Sequence, residues 1–172
     1  MTSYLTYISI RNQFHKSQLT EDIMQATGCE EKKALEYQKT HCNLLSFWAM
    51  LYSQQYTDLS YRDFFKWCMD EGYLGKEGSP PENGYINAKK EDIIRKLEVD
   101  AQIIKYEAFP ADRKTGECYQ VSINGNHYFI AAIVNEDKSV DIFDTNDRGC
   151  PVEIGRGFAK KHDKIDWVKF IG

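Results

Sequence analysis

The spacing of hydrophobic residues changes near the middle of the chain, and this change constrains the fold more than any other feature. Up to about residue 70 the apolar side chains recur at the three- and four-residue spacing of helices, whereas beyond residue 101 they alternate with the two-residue period of strands. The segment 72–87 between them contains four glycines and two prolines, a density that favours a loop. The sequence therefore predicts an α+β fold in which helices precede an antiparallel sheet.

The most apolar helix is predicted at residues 42–55, where leucine, tryptophan and other apolar residues cover more than one face. A helix of this kind is buried on most of its sides. The other elements predicted in this half are a short strand at 4–10, a helix capped by Thr20 that stops at Gly28, a helix at 30–38, and helices capped by Ser60 and by Asn87.

The second half contains two hairpin signals. Asn124 and Gly125 tolerate the positive φ that a tight primed turn requires, and the polar residues 135–138 are predicted to form a second turn of four residues. A loop of that length places Val134 opposite Ser139 and so fixes the register of the two strands. The predicted strands are 102–109, 118–123, 127–134, 139–144 and 166–171.

Length and charge exclude several classes of protein. A chain of 172 residues suits one domain, which we expect to span 1–172. The net charge of −4 arises from interleaved basic and acidic residues, so no basic stripe indicates a nucleic-acid partner. No segment approaches the roughly 18 apolar residues that a membrane span needs, and the first residues lack the pattern of a secretion signal. We therefore expect a cytoplasmic protein with no membrane or nucleic-acid partner.

The five cysteines are odd in number and irregularly spaced. Disulfide frameworks and zinc ribbons need paired, closely spaced thiols, so neither is expected. The thiols other than Cys42 should therefore be unpaired and free of metal, namely those of Cys29, Cys68, Cys118 and Cys150.

Cys42 stands where the long apolar helix begins. Unpaired backbone amides and the positive end of the helix dipole favour a thiolate at this position. The alternative is an inert cysteine packed as a small hydrophobic residue. A thiolate nucleophile needs a base, and His127 is the best candidate because it opens a predicted strand directly after a hairpin turn. His15 and His162 lie in polar segments, and His41 adjoins Cys42 but should point in a different direction.

The predicted register supplies a third group for this site. His127 would lie opposite Asn146, with Asp144 one pair away on the same face of the sheet. Either side chain could accept a hydrogen bond from the imidazole. Asp144 is the first choice because a carboxylate also stabilises the imidazolium, and Asn146 is the alternative.

In their order and local sequence, these segments resemble papain-like cysteine peptidases, and in particular the bacteriocin-processing (double-glycine leader) peptidases and their relatives. Residues 42–50 resemble their nucleophile helix, 126–134 their histidine strand, and 140–144 the strand that ends in their aspartate. The resemblance implies a papain-like fold, in which the nucleophile helix packs on a C-terminal antiparallel sheet. It also implies a glutamine that stabilises the oxyanion, for which Gln38 is the nearest residue, although it stands closer to the cysteine than in the family.

Two functions are open at this point. The first is a thiol hydrolase of peptide or protein substrates that works through an acyl-enzyme, with Cys42 as nucleophile, His127 as base and Asp144 as orienting group. The second is a papain-like binding or effector module that has lost the reaction. A metal site built from the same three residues is disfavoured, because their spacing is not that of a ligand set. No cofactor is expected for either function.

Overall fold

The computed structural model describes residues 4–125, 128–145, 152–153 and 164–172. The first part of the chain is helical, as its hydrophobic spacing predicts. Two short 3₁₀ turns, Gln38–Thr40 and Pro81–Asn83, interrupt this half. The helices are α1 (Tyr4–Gln13), α2 (Lys16–Thr27), α3 (Glu31–Tyr37), α4 (Cys42–Ser53), α5 (Tyr61–Asp70) and α6 (Lys90–Lys96).

The second part forms one antiparallel sheet, so the fold is α+β. The order across the sheet is β1-β6-β2-β3-β4-β5. The two-residue strand β5 was not predicted, and β1 ends at Tyr106 rather than at residue 109. The strands are β1 (Gln102–Tyr106), β2 (Cys118–Ile123), β3 (Tyr128–Val134), β4 (Val140–Phe143), β5 (Val152–Glu153) and β6 (Ile165–Ile171).

Helix α4 packs on the middle of this sheet, against β2 and β3. Nine of its twelve residues are buried, as expected for a helix that is apolar on most sides. Ala131 and Phe143 of the sheet join the same hydrophobic core as the helices. The opposite face of the sheet carries a second cluster around Tyr119 and Trp167. This packing brings the first residue of α4, Cys42, to β3.

Two local signals in the helical half are confirmed. Gly28 ends α2 in the left-handed conformation, with φ of 73°, which a residue without a side chain adopts at little cost. The Ser60 hydroxyl accepts a hydrogen bond from the Asp63 backbone amide at 3.2 Å, and α5 begins at the next residue. Cys68 of that helix is buried.

The prediction of a strand at residues 4–10 is wrong, because this segment belongs to helix α1. Tyr7, Ile10 and Phe14 are spaced three and four residues apart, and all three pack into the core. That spacing is helical, and it outweighs the β-propensity of the tyrosine and isoleucine residues in the segment.

Two predicted helix starts are also wrong. Helix α2 begins at Lys16, and the hydroxyl of Thr20 donates to the Lys16 carbonyl at 2.8 Å instead of capping a helix. Helix α6 begins at Lys90 rather than directly after Asn87. The Asn87 backbone amide donates to the Tyr73 carbonyl at 2.8 Å, so this residue still belongs to the preceding loop.

The hairpin that joins β3 and β4 has a loop one residue longer than predicted. Val134 pairs with Val140, so five residues separate the closing pair instead of four. Ser139 is drawn into the turn because its backbone amide donates to the Asp137 carboxylate at 3.0 Å. If the observed register continued past β4, Asp144 would lie opposite Ile130, on the other face of the sheet from the one predicted.

Candidate functional site

The sulfur of Cys42 lies at the junction of helix α4 and strand β3. Cys42 is the first residue of α4 and is half-buried. Backbone amides of Phe129 on β3 and of Asn43 on α4 donate hydrogen bonds toward the sulfur. The Ser46 hydroxyl donates to the Cys42 carbonyl at 2.7 Å, which fixes the first turn of the helix. The helix start and the strand together therefore hold the thiol in one place.

The surroundings of this thiol favour its neutral form. Burial raises the pKa of Cys42 above its ordinary value and outweighs the backbone hydrogen bonds, which lower it. The negative charge of Asp144 raises the pKa of the thiol further. A thiolate at this position thus needs a nearby positive charge.

Asp144 directly follows β4, which ends at Phe143. Its side chain is half-buried, and burial raises the pKa of the carboxyl while the Thr145 backbone amide, which donates to it, lowers it. The carboxyl is close enough for its charge to affect Cys42. The structure thus brings together two of the residues predicted for the site, although they lie far apart in the sequence.

The other two predicted partners, His127 and Asn146, lie outside the described residues. The approach of His127 to the thiol therefore stays a prediction, as does the choice between the two acceptors for its imidazole. The predicted pairing of His127 with Asn146 depended on a four-residue loop. That loop prediction is wrong, as the register of β3 and β4 shows.

Gln38, the predicted oxyanion donor, is 5% exposed. Its side-chain amide donates to the Leu35 carbonyl at 3.2 Å, one turn earlier in the chain. In this conformation the amide is bound locally, and its role toward an oxyanion stays a prediction.

His41 is fully buried, and both of its ring nitrogens have partners. Its Nδ1 lies 2.6 Å from the Tyr61 hydroxyl, and its Nε2 lies 2.8 Å from the Glu82 carbonyl oxygen. Since a carbonyl only accepts, Nε2–H donates to Glu82 and Nδ1 accepts from Tyr61. Burial lowers the pKa of His41 to about 4, despite the opposing effect of the bond to Glu82. The ring is thus a neutral anchor between the start of α4 and the loop at 72–87.

A polar network that no sequence pattern predicted also borders Cys42. The Lys90 ammonium donates to the Gln120 side-chain oxygen at 2.8 Å. The Gln120 amide nitrogen in turn donates to the Asn43 side-chain oxygen at 2.9 Å and to the Ser46 hydroxyl at 2.8 Å. The one available signal for this network in the sequence was Gln120, a polar residue within a predicted strand. All six residues of that strand are buried, so the Gln120 side chain needs polar partners.

The Lys90 ammonium lies 4.9 Å from the centroid of the Phe129 ring. Burial lowers its pKa to about 8, while the charges of Glu91 and Cys42 oppose that effect. Lys90 is therefore a cation at neutral pH in the immediate surroundings of the thiol. Within the described residues, no group of three or more His, Cys, Asp or Glu side chains is arranged to hold a metal ion.

Comparison of the chain with models of protein families, with curated proteins and with solved structures finds no match. Of the helices in the described ranges, none has both the length and the apolar character that crossing a membrane requires. The function must therefore be argued from the site itself.

Proposed function

We propose that this protein is a papain-like cysteine hydrolase that cleaves a peptide or another amide. One observation carries the proposal: the sulfur of Cys42, at the start of a buried helix, is bound by the backbone of β3, with Asp144 close by. His127 precedes Phe129 by two residues in the sequence. Helix, strand and carboxylate are the parts that a cysteine, histidine and aspartate triad requires.

In the proposed reaction, His127 removes the proton from Cys42, and the thiolate attacks the carbonyl carbon of the substrate. The oxyanion is stabilised by the Cys42 backbone amide and by Gln38 if that side chain turns toward it. Collapse of this intermediate breaks the C–N bond, and His127 returns its proton to the leaving amine. Water, activated by His127, then hydrolyses the thioester. Asp144 accepts a hydrogen bond from the imidazole and stabilises the imidazolium.

The thiol keeps a raised pKa although the Lys90 ammonium lies in its surroundings, so the proposal also needs an imidazolium beside it. Burial and the charge of Asp144 both favour the neutral thiol. A thiolate and an imidazolium formed together would be an ion pair, in which each charge offsets the other's desolvation. The proposed reaction therefore depends on His127.

The first experiment compares the alkylation rates of the individual cysteines by iodoacetamide at pH 7, with mass spectrometry to assign each site. Cys29, also half-buried, is the internal control, whereas burial raises the pKa of Cys68 and Cys118 and should make them slow. We expect Cys42 to react at least about tenfold faster than Cys29, and His127→Ala to abolish that excess. A rate for Cys42 equal to that of Cys29 would contradict the proposal.

The variant Asp144→Asn gives a test in which the sign of the effect decides. If an imidazolium supports the thiolate, loss of the carboxylate weakens that cation, and alkylation of Cys42 slows by about tenfold or more. If no imidazolium is present, removal of a negative charge lowers the pKa of the thiol, and alkylation becomes faster.

A screen of the protein against a peptide library tests for cleavage directly, with Cys42→Ala as the matching control.

A second function, a binding module on the same scaffold, is favoured by one observation. The described surroundings of Cys42 stabilise the neutral thiol, as they would in a site that has lost its reaction. This function predicts faster alkylation of the Asp144→Asn variant and no cleavage of any library peptide.

A further inference from the structure

A cavity of about 260 Å³ lies beside the start of α4, on the side of the sheet that faces this helix. Gln120, Phe129 and Lys90 form part of its wall. Two of these residues also contact the segment that carries the thiol, since Gln120 binds Asn43 and the Phe129 amide donates to Cys42. Two residues of the cavity wall therefore connect the cavity to the segment that carries the proposed nucleophile.

The charges in this cavity are unevenly compensated. Asp166 forms ion pairs with Lys105 at 3.3 Å and with Lys164 at 3.9 Å. Among the residues that the structure describes, no carboxylate lies within 4.0 Å of the Lys90 nitrogen. The polar contact of Lys90 is the neutral oxygen of Gln120, and Glu91, also in the cavity wall, is exposed. The ammonium is thus a partly buried charge for which the described residues supply no carboxylate partner, an arrangement that is costly unless a ligand supplies one.

The position of the ammonium is fixed rather than adaptable. Gln120 holds it with one oxygen, while the amide nitrogen of the same side chain is bound to the first turn of α4. The Phe129 ring contributes a cation–π contact at 4.9 Å. Since an ammonium has three N–H donors and Gln120 uses one, donors remain for a carboxylate.

We propose that the Lys90 ammonium binds a carboxylate of the substrate in this cavity, and so selects peptides with an acidic group beside the bond that Cys42 attacks. This inference rests on the proposed hydrolase function. It names Lys90 as a residue that determines specificity and Gln120 as the residue that positions it.

The test uses two alkylating reagents of nearly the same shape. Iodoacetate carries a carboxylate where iodoacetamide carries an amide, and each loses iodide as the Cys42 sulfur bonds to its methylene carbon. The ratio of the two rates at Cys42 cancels the reactivity of the thiol itself. We expect Lys90→Met and Lys90→Gln each to lower the iodoacetate-to-iodoacetamide ratio at Cys42 by about fivefold at pH 7, while Lys89→Met, a change at the exposed neighbour, leaves it unaltered. Repulsion by Asp144 is common to all of these proteins and cancels.

The outcomes separate this inference from the proposed function. Rapid alkylation by iodoacetamide with a ratio independent of Lys90 would leave the hydrolase standing and overturn the carboxylate site. Slow alkylation of Cys42 with a ratio that depends on Lys90 would support the carboxylate site and contradict the proposed hydrolase function. In the Asp144→Asn variant, which removes the repulsion by Asp144, a ratio below that of 2-mercaptoethanol, a thiol with no other charged group, also counts against a carboxylate site, whether or not the Lys90 variants fold. If cleavage is detected, matched peptides with Glu or Gln at each position should differ in kcat/KM, and Lys90→Met should remove the difference.

Discussion

Lys90→Met should change how the stability of the protein depends on pH. Burial lowers the pKa of Lys90 in the folded protein from 10.5 to about 8, and the unfolded chain retains the ordinary value. Between these values the unfolded chain binds more protons than the folded one, so the free energy of unfolding rises with pH. Below pH 8 the ammonium is charged in both states and its destabilising effect is fully present.

The magnitude follows from the size of the shift. At about 1.4 kcal/mol for each pKa unit, the shift corresponds to roughly 3 kcal/mol, of which about 2 kcal/mol should be regained between pH 7 and pH 10. The free energy of unfolding of Lys90→Met should not increase in this way, because the variant has no ammonium at this position. Its Gln120 oxygen also loses a partner, at a cost of roughly 1–3 kcal/mol that does not depend on pH. The difference at any one pH is therefore ambiguous, whereas its change with pH is diagnostic.

The assay is urea denaturation of wild type, Lys90→Met and Lys89→Met at several values between pH 7 and pH 10. Burial raises the pKa values of Tyr7, Tyr61 and Tyr119, so these groups ionise more readily in the unfolded chain; this effect is common to all three proteins and cancels in the comparison. We expect wild type to gain about 2 kcal/mol relative to Lys90→Met over this range, and to gain nothing relative to Lys89→Met. A difference from Lys90→Met that stays constant within about 0.5 kcal/mol would show that the ammonium is solvated. The argument for a buried, uncompensated charge would then fail.

Two further predictions concern the scaffold around the site. Gly84 and Gly28 both have φ of 73°, but a Cβ on Gly84 would lie 3.0 Å from the His41 ring, whereas one on Gly28 meets nothing within 4 Å. In urea denaturation, Gly28→Ala should therefore cost about 1 kcal/mol and Gly84→Ala at least about 1 kcal/mol more, and equal losses would exclude the contact with His41. Ser60→Ala should cost about 1 kcal/mol because the Asp63 amide loses its cap, and an unchanged stability would show that the cap contributes nothing.

The helical half was predictable where local rules decide the conformation. Gly28 ends a helix because it can adopt positive φ, and Ser60 begins one because its hydroxyl accepts the amide that the first turn leaves unpaired. Cys42 was placed correctly at the start of α4 because the apolar residues of that helix begin just after it. The prediction of a strand at residues 4–10 was wrong because the helical spacing of this segment becomes clear only when Phe14, outside the predicted strand, is included.

The site was less predictable because it depends on contacts between distant segments. Several contacts within the turn, among them the hydrogen bond from the Ser139 amide to Asp137, accompany a hairpin loop that is one residue longer and a shifted register of β4. The network of Lys90 and Gln120 joins a helix to a strand 30 residues further along the chain, and no local sequence pattern predicts such a contact. The elements that meet at the thiol, by contrast, were predicted from the sequence.

The shifted register has a consequence for how Asp144 reaches the site. In a strand, the new register would have turned its side chain away from the face of Phe129. Because β4 ends at Phe143, Asp144 is released from the strict alternation of strand residues, and its charge still reaches Cys42. The electrostatic effect of Asp144 on Cys42 therefore does not come from the hairpin register that motivated the prediction, and the convergence of the whole site stays a prediction. The position of the carboxylate depends on the chain that follows β4, and not on pairing within the hairpin.

The charges around Cys42 suggest a single electrostatic design. Burial raises the pKa of both the Cys42 thiol and the Asp144 carboxyl and lowers that of the Lys90 ammonium, so all three are displaced toward their neutral forms. Such groups gain most from a charge that appears beside them, since little water competes with it. A cation formed by His127 would stabilise the thiolate and the carboxylate together, and an anion brought by the substrate would stabilise the ammonium. On this reasoning the resting site combines a neutral thiol with the charged Lys90 ammonium, and the thiolate and imidazolium would form together only during the reaction.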